Sequence, residues 1–200
     1  MVDNTTFLQL INDEKRNISV VFSNPSIDDD IKHKLIEYSL INCVVSFQAF
    51  ISNCFDSYAS GTGSSSGYTP QRRLGFESPE HLHSIFSAVK KGYIDTFENG
   101  IKEYSKFIFP LGKDPFALIV QDATLWSNYN KARIIRNFLM HRSGLSEKEY
   151  RDNIPDNTTG DIKPYLDLLK MKNHQTLYTQ LLDSLANITT ILVNPEPYFT

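Results

Sequence analysis

The chain holds only two cysteines, Cys43 and Cys54, in 200 residues. They lie eleven positions apart on a stretch with helical periodicity, a separation of roughly 16 Å at the α-helical rise, too far for a disulfide within that helix. Reduced thiols and a cytoplasmic setting are therefore expected. The sequons at Asn4, Asn17, Asn157 and Asn187 are then chance matches in an Asn- and Thr-rich chain. No run approaches the 18 or so apolar residues of a membrane span, and MVDNTTFLQLINDEKR has neither the basic start nor the apolar run of a signal peptide. No membrane partner is expected. Neither sign of charge dominates: 20 Lys and Arg against 23 Asp and Glu give a formal net charge of −3. A polyanionic partner would have to meet a local patch. Cys-x-x-Cys, HExxH, GxSxG and phosphate-loop patterns are all missing, which removes the familiar metal, hydrolase and nucleotide sites. His81 and His83, two apart on a helical stretch, point away from each other and suit no common metal. The sequence implies no metal and no cofactor.

What is present is helical periodicity. Ser26 with Asp29 forms a capping-box pattern, and no Pro or Gly occurs from Ser26 to Ser60. Ile36, Leu40, Val44, Phe47, Ile51 and Cys54 recur at threes and fours, predicting one helix over about 27–58. GTGSSSG at 61–67 reads as a flexible loop, within an insertion over about 59–77; it is either a plain connector or a lead-in to Arg72 and Arg73 at a polyanion. Ser78-Pro79 is an N-cap with Pro at the first helical position, and the spacing of Leu82, Phe86, Val89, Tyr93, Phe97, Ile101 and Tyr104 predicts helix to about residue 105. Gly92 and Gly100 allow a kink or two shorter helices. FIFPLGKDP reads as a turn-rich loop. A third helix is expected over about 122–141, with Leu125, Ala132, Ile135 and Leu139 inward. A polar loop containing NIPDNTTGDIKP follows it. The last helix, about 174–192, carries Leu177, Leu181, Leu185, Ile188 and Leu192 and stops at Asn194-Pro195. No segment alternates as a strand and no repeat recurs. The expectation is a single all-α domain over 1–200, an antiparallel bundle of about four main helices with its core over about 27–192. The ten Tyr and thirteen Phe fall mostly at core spacing.

RNFLMHRSG, residues 136–144, is the stretch with chemistry in it. Asn130, Arg133, Asn137 and His141 share one helical face opposite the apolar one, and Arg136 lies about 100° from Asn137. Between Ala123 and Ser146 there is no Asp or Glu, while Lys131, Arg133, Arg136 and Arg142 are cationic. That local field suits a phosphodiester. The same residues also suit an ordinary helix end, with cations answering the dipole and Gly144 as terminator.

R-N-F-L-M-H resembles the R-x(4–6)-H motif of the HEPN superfamily, small all-α domains many of which are endoribonucleases. The long first helix, the insertion, the motif helix and the closing helix are similar to the family plan over about 27–192. The resemblance implies an Arg and a His meeting in a cleft between two protomers, with cleavage that needs no metal. Carried onto this chain, those roles fall on Arg136 and His141, with Asn137 as a polar organiser. An acidic residue often stands on the first long helix of the family; the position aligned with it here is Gln48. A Tyr that follows the His by two places in one subgroup, and accepts AMP, is Ser143 here, so that modification is not expected. A toxin or an effector in phage defence, with an antitoxin or defence-system partner, is the biological role implied.

The chemistry follows from the residue types. RNA carries its own nucleophile, the ribose 2′-OH, and histidine as a residue type suits general acid–base work, the role given to His141. Arg136 stays cationic and can fork two donors onto phosphate oxygens. Asn137, one turn from His141, can hold the imidazole or a ribose hydroxyl. Lys131, Arg133 and Arg142 are the expected RNA-binding cations. Arg136 and His141 are about 140° apart around one helix, so a second copy is expected to supply the missing side of the site. A non-catalytic RNA- or protein-binding module on the same basic face, and a purely structural scaffold, are the alternatives.

Overall fold

The computed structural model describes residues 1–89, 100–154, 161–172 and 175–199. These form α1 (Thr5–Ser23), α2 (Asp29–Ala59), α3 (Pro79–Val89), α4 (Lys102–Ile108), α5 (Pro115–Gln121), α6 (Ala123–His141), α7 (Gly144–Asn153), α8 (Pro164–Leu169) and α9 (Leu177–Val193). The all-α expectation holds, with one two-residue hairpin, Met171–Lys172 against Gln175–Thr176. The long helices are α1, α2, α6 and α9. Of these, α1 was not expected, and the expected helix over 79–105 is represented by α3 and α4, with Gly92, Tyr93 and Phe97 outside the described residues.

Local chemistry explains the boundaries. α2 is capped by Asp28 rather than Ser26, because the Asp28 carboxylate accepts from Asp30 N at 2.9 Å, whereas Ser26 N turns back onto Asn24 Oδ1 at 2.9 Å. α5 follows the stretch read as a turn-rich loop, sharing only Pro115 with it; Asp114 caps it, accepting from Phe116 N and Ala117 N, and Pro115 opens it. α7 and α8 occupy parts of the stretch read as a polar loop, α7 behind a Ser143–Ser146 capping box and α8 behind Pro164. α2 is long and apolar enough to match a membrane span by length and composition alone. Its Asn42, Ser46 and Gln48 break the run that a count of consecutive apolar residues would register.

The chain divides into two compact units. The first comprises residues 1–7, 46–126 and 187–200. Its core gathers Phe55, Tyr58, Tyr68, Phe109 and Phe116, with Phe55 edge-on to Phe116 at 5.6 Å and Tyr58 edge-on to Tyr68 at 5.4 Å. The Gly/Ser stretch expected to be flexible is fastened here. Val2 N donates to Gly63 O at 3.0 Å, Ser65 N to Val2 O at 2.8 Å and Ser66 Oγ to Val193 O at 2.6 Å. Gly61 takes φ +85°, and a Cβ there would strike the Arg72 guanidinium. Arg72 donates to Ala59 O at 2.8 Å, closing the end of α2.

The second unit comprises residues 8–45 and 127–186. Ile11, Ile36, Leu40, Val44, Ile135, Tyr150, Leu168, Leu181 and Leu185 are buried in it. A polar relay runs through this core: Tyr178 Oη donates to Ser39 Oγ at 2.6 Å, and Ser39 donates to Glu14 at 2.6 Å. Cys43 and Cys54 are buried free thiols. Burial pushes the Cys43 thiol up to about 12 and the Cys54 thiol well above its ordinary range. Both are therefore expected to resist a thiol-specific disulfide reagent at pH 8 in the native protein and to react only after denaturant is added. Prompt release of two thiol equivalents from the folded protein would contradict this burial.

Candidate functional site

The motif sits on the last two turns of α6, and the end of that helix is unusual. Arg142 takes φ 44°, the left-handed conformation that side chains other than Gly seldom adopt. Its N–H donates to Phe138 O at 3.0 Å, the bond of a left-handed C-cap. Such a backbone costs on the order of 1–2 kcal/mol for a residue with a Cβ. Its guanidinium lies over the Phe138 ring at 5.6 Å, a cation–π contact that offsets part of this. Gly144 is not the terminator; it is the first residue of α7, and a Cβ there would meet open space. Ser143 N–H binds Ser146 Oγ at 3.0 Å and Ser146 N–H binds Ser143 Oγ at 3.2 Å, so α7 begins at once. A corner of two residues, Arg142 and Ser143, joins the helices.

Within the motif, Arg136 Nη1 donates to Asn137 Oδ1 at 2.9 Å. The Asn oxygen is thus engaged by the guanidinium, and Asn137 orients the Arg. Both side chains are half-buried, while His141 and Arg142 are exposed at the helix end. Inward, Leu125, Ala132 and Ile135 are buried as expected, joined by Tyr129, Ile134 and Phe138; Leu139 is only half-buried.

The cations are less concentrated than the acid-free stretch 123–146 suggests. Arg133 Nη2 meets Glu149 Oε1 at 2.8 Å and Arg151 meets Glu147 at 2.7 Å, both carboxylates coming from α7. Lys131 is half-buried. An open hollow of about 280 Å³ beside the corner is lined by Phe138, Arg142, Glu147, Arg151, Asp161 and Ile162. Its charges alternate in sign, and it takes in Arg142 but neither His141 nor Arg136.

One acid of this unit, Glu37, lies near the motif end without having been singled out from the sequence. Glu37 of α2 accepts from the Tyr165 backbone N–H and lies within electrostatic reach of Arg142 and His33. Desolvation raises its carboxyl above the usual range, against the pull of those three groups. His33 and Tyr165 stack beside it, ring centroids 3.7 Å apart and planes 12° apart. Gln48 lies eleven residues further along α2 and belongs to the other unit. A signal was present: Glu37 is the one acidic residue of α2 between Asp30 and Asp56.

His81 and His83 face different partners, as their spacing predicts. His81 Nδ1 accepts from Glu77 N at 3.4 Å, and His83 Nε2 meets the Asp56 carboxylate at 3.0 and 3.1 Å. Among the described residues no three His, Cys, Asp or Glu side chains gather as a metal-ligand set. No family model, no curated protein and no solved structure matches the chain.

Proposed function

We propose that this chain is a metal-independent endoribonuclease of HEPN type, folded as a HEPN-like bundle and acting as a homodimer. The observation that supports it best is the Arg136–Asn137 hydrogen bond, which ties the guanidinium to an Asn four residues before an exposed His141. A bare helix end needs cations near its last carbonyls, but it does not need an Asn that orients one of them. In the proposed reaction His141 removes the proton of the 2′-OH and the resulting alkoxide attacks the adjacent phosphorus. Arg136 stabilises the charge gathering on the non-bridging oxygens. The P–O5′ bond breaks as the 5′ oxygen takes up a proton. Lys131, Arg133 and Arg142 hold flanking phosphates, and the helices α6 of two copies lie near the two-fold axis. The toxin or anti-phage role and the cytoplasmic setting belong to the same reading.

A second reading, a non-catalytic RNA- or protein-binding module, is favoured by one observation: Arg133 is already paired with Glu149, which weakens the field on the scissile phosphate. The deciding experiment uses a labelled single-stranded RNA. The endoribonuclease is expected to leave 2′,3′-cyclic phosphate and 5′-hydroxyl ends, to work in EDTA and to spare DNA of the same sequence. Binding without cutting would select the module. Metal-dependent cutting or 5′-phosphate products would exclude the proposed mechanism.

A further inference from the structure

The turn between α4 and α5 borders two cavities, both within the first unit. The larger, about 450 Å³, opens beside Arg73, Pro110, Leu111 and Phe199; the smaller, about 260 Å³, opens beside Lys102 and Val120. Lys106, Asp114, Ala117 and Gln121 line both, so the two adjoin along one side of α5. Gly112, at φ 73°, lets the chain turn there, and Lys113 N–H donates to Pro110 O at 3.0 Å. The turn holds Leu111 at the mouth of the larger cavity, whose wall is made by Phe109, Leu118 and Phe199. A concave apolar wall on which a few polar groups converge is the form of a small-molecule site.

The charges on this lining are unequally engaged. Asp114 spends its carboxylate on Phe116 N at 2.9 Å and Ala117 N at 3.3 Å, and takes a further hydrogen bond from Ser105. Glu103 meets Lys106 at 3.3 Å on the surface of α4, an exposed pair of little strength. Lys102 lies over the Trp126 ring at 5.7 Å, and Lys113 over the Phe199 ring at 5.0 Å. Arg73 is exposed and makes no ion pair among the described residues. Its place is nevertheless fixed, because its backbone N–H donates to Ile108 O at 2.6 Å. Both acids of the lining are thus answered, and one guanidinium is not.

We propose that the larger cavity binds a small amphipathic carboxylate, its single negative charge held by Arg73 with Lys106 beside it, and its apolar body against Phe109, Leu118 and Phe199. Charge selects this occupant. One unanswered guanidinium suits one carboxylate, whose two oxygens match the planar fork of donors. A cationic ligand would meet Arg73 and the lysines with both acids already taken. A neutral apolar ligand would leave the fork unused. Every lining residue belongs to the first unit and residues 136–141 to the second, so this site does not depend on the proposed endoribonuclease.

The test is calorimetric titration of the full chain with 2-naphthoate as the probe. A saturable one-to-one isotherm is expected, with Kd on the order of 10–100 µM for a ligand of this size. Naphthalene-2-methanol keeps the rings without the charge, and acetate keeps the charge without the rings. Each should bind at least about 10-fold more weakly. Arg73→Gln should weaken 2-naphthoate by about 10-fold or more, and Arg73→Lys should recover only part of that loss. Lys106→Gln should cost a smaller factor, about 2- to 3-fold. Both side chains are exposed, and residue 73 is anchored through its backbone, so the variants should melt with the wild type. The comparison with naphthalene-2-methanol needs no variant at all. Absence of 2-naphthoate binding at millimolar concentration, equal affinity for the uncharged analogue, or an unaltered Kd in a folded Arg73→Gln protein would each overturn the proposal. So would displacement of 2-naphthoate by a DNA oligonucleotide, which would give Arg73 to a polyanion.

Discussion

His141→Ala is expected to lose RNA cleavage by a factor of about 10² to 10⁴ while remaining folded, the usual cost of a missing general acid–base group. His141 is exposed on the last turn of α6, so its removal leaves no cavity in the core. Arg136→Ala is expected to be as damaging, through lost stabilisation of the transition-state charge, and Arg136→Lys to recover little, because an ammonium lacks the planar fork. Asn137→Ala separates orientation from chemistry: it should lower kcat by a smaller factor, since it loosens the guanidinium without removing it. Arg142→Ala should be milder still, whereas Arg142→Gly should stabilise the fold by removing a left-handed backbone strain. The measurement is single-turnover cleavage of labelled RNA alongside thermal melting of each variant. A His141→Ala protein that cuts at the wild-type rate sinks the mechanism.

The largest loss of stability expected at a polar position is at Asp167. This carboxylate is buried and accepts from Tyr150 Oη at 2.7 Å and from Lys170 Nζ at 2.8 Å. Burial and the neighbouring Asp167 both push the Tyr150 phenol above its ordinary range, so it remains a neutral donor. Asp167→Ala leaves that hydroxyl without its acceptor and removes a charge-assisted bond, a cost of about 2–4 kcal/mol. For a chain of this size that lowers Tm by on the order of 10 °C. Tyr150→Phe keeps the Lys170 bond and should cost less. Asp167 ties α7 to α8, which carries the Tyr165 that stacks on His33, so the loss should also blunt whatever the motif does. Equal melting temperatures for wild type and Asp167→Ala would contradict this account.

The parts legible in the sequence were those written as long periodic patterns. The stripe from Ile36 to Cys54 is buried throughout, and α6 ends at His141 as its spacing predicts. Short helices escaped because six or seven residues cannot display a period of 3.6, yet α5 and α8 each open with a Pro at the first position, the signature read correctly at Ser78-Pro79. α1 escaped because NDEKRN interrupts its apolar face between Ile11 and Ile18. At the site, residue identities were legible and their partners were not. Nothing local says that Arg133 meets Glu149, sixteen residues on, or that Asn137 turns to Arg136 rather than His141. Gly144 was misread because its usual role at a helix end is taken by Arg142, a residue with no statistical claim to it.

Asn4 hydrogen-bonds Thr189 and Lys15 pairs with Asp183. These contacts join α1, or the residue just before it, to α9, across sequence separations of 185 and 168 residues. Synthesis at about 5–20 residues per second puts roughly 10–40 s between the two halves of each contact. During that interval Asn4 and Lys15 lack their partners on α9, and Phe7 and Ile11, buried in the finished protein, lie on a chain whose units are incomplete. Completion of both units is therefore a late event tied to the arrival of α9, and a ribosome stalled before that point would hold a chain that a chaperone must shelter.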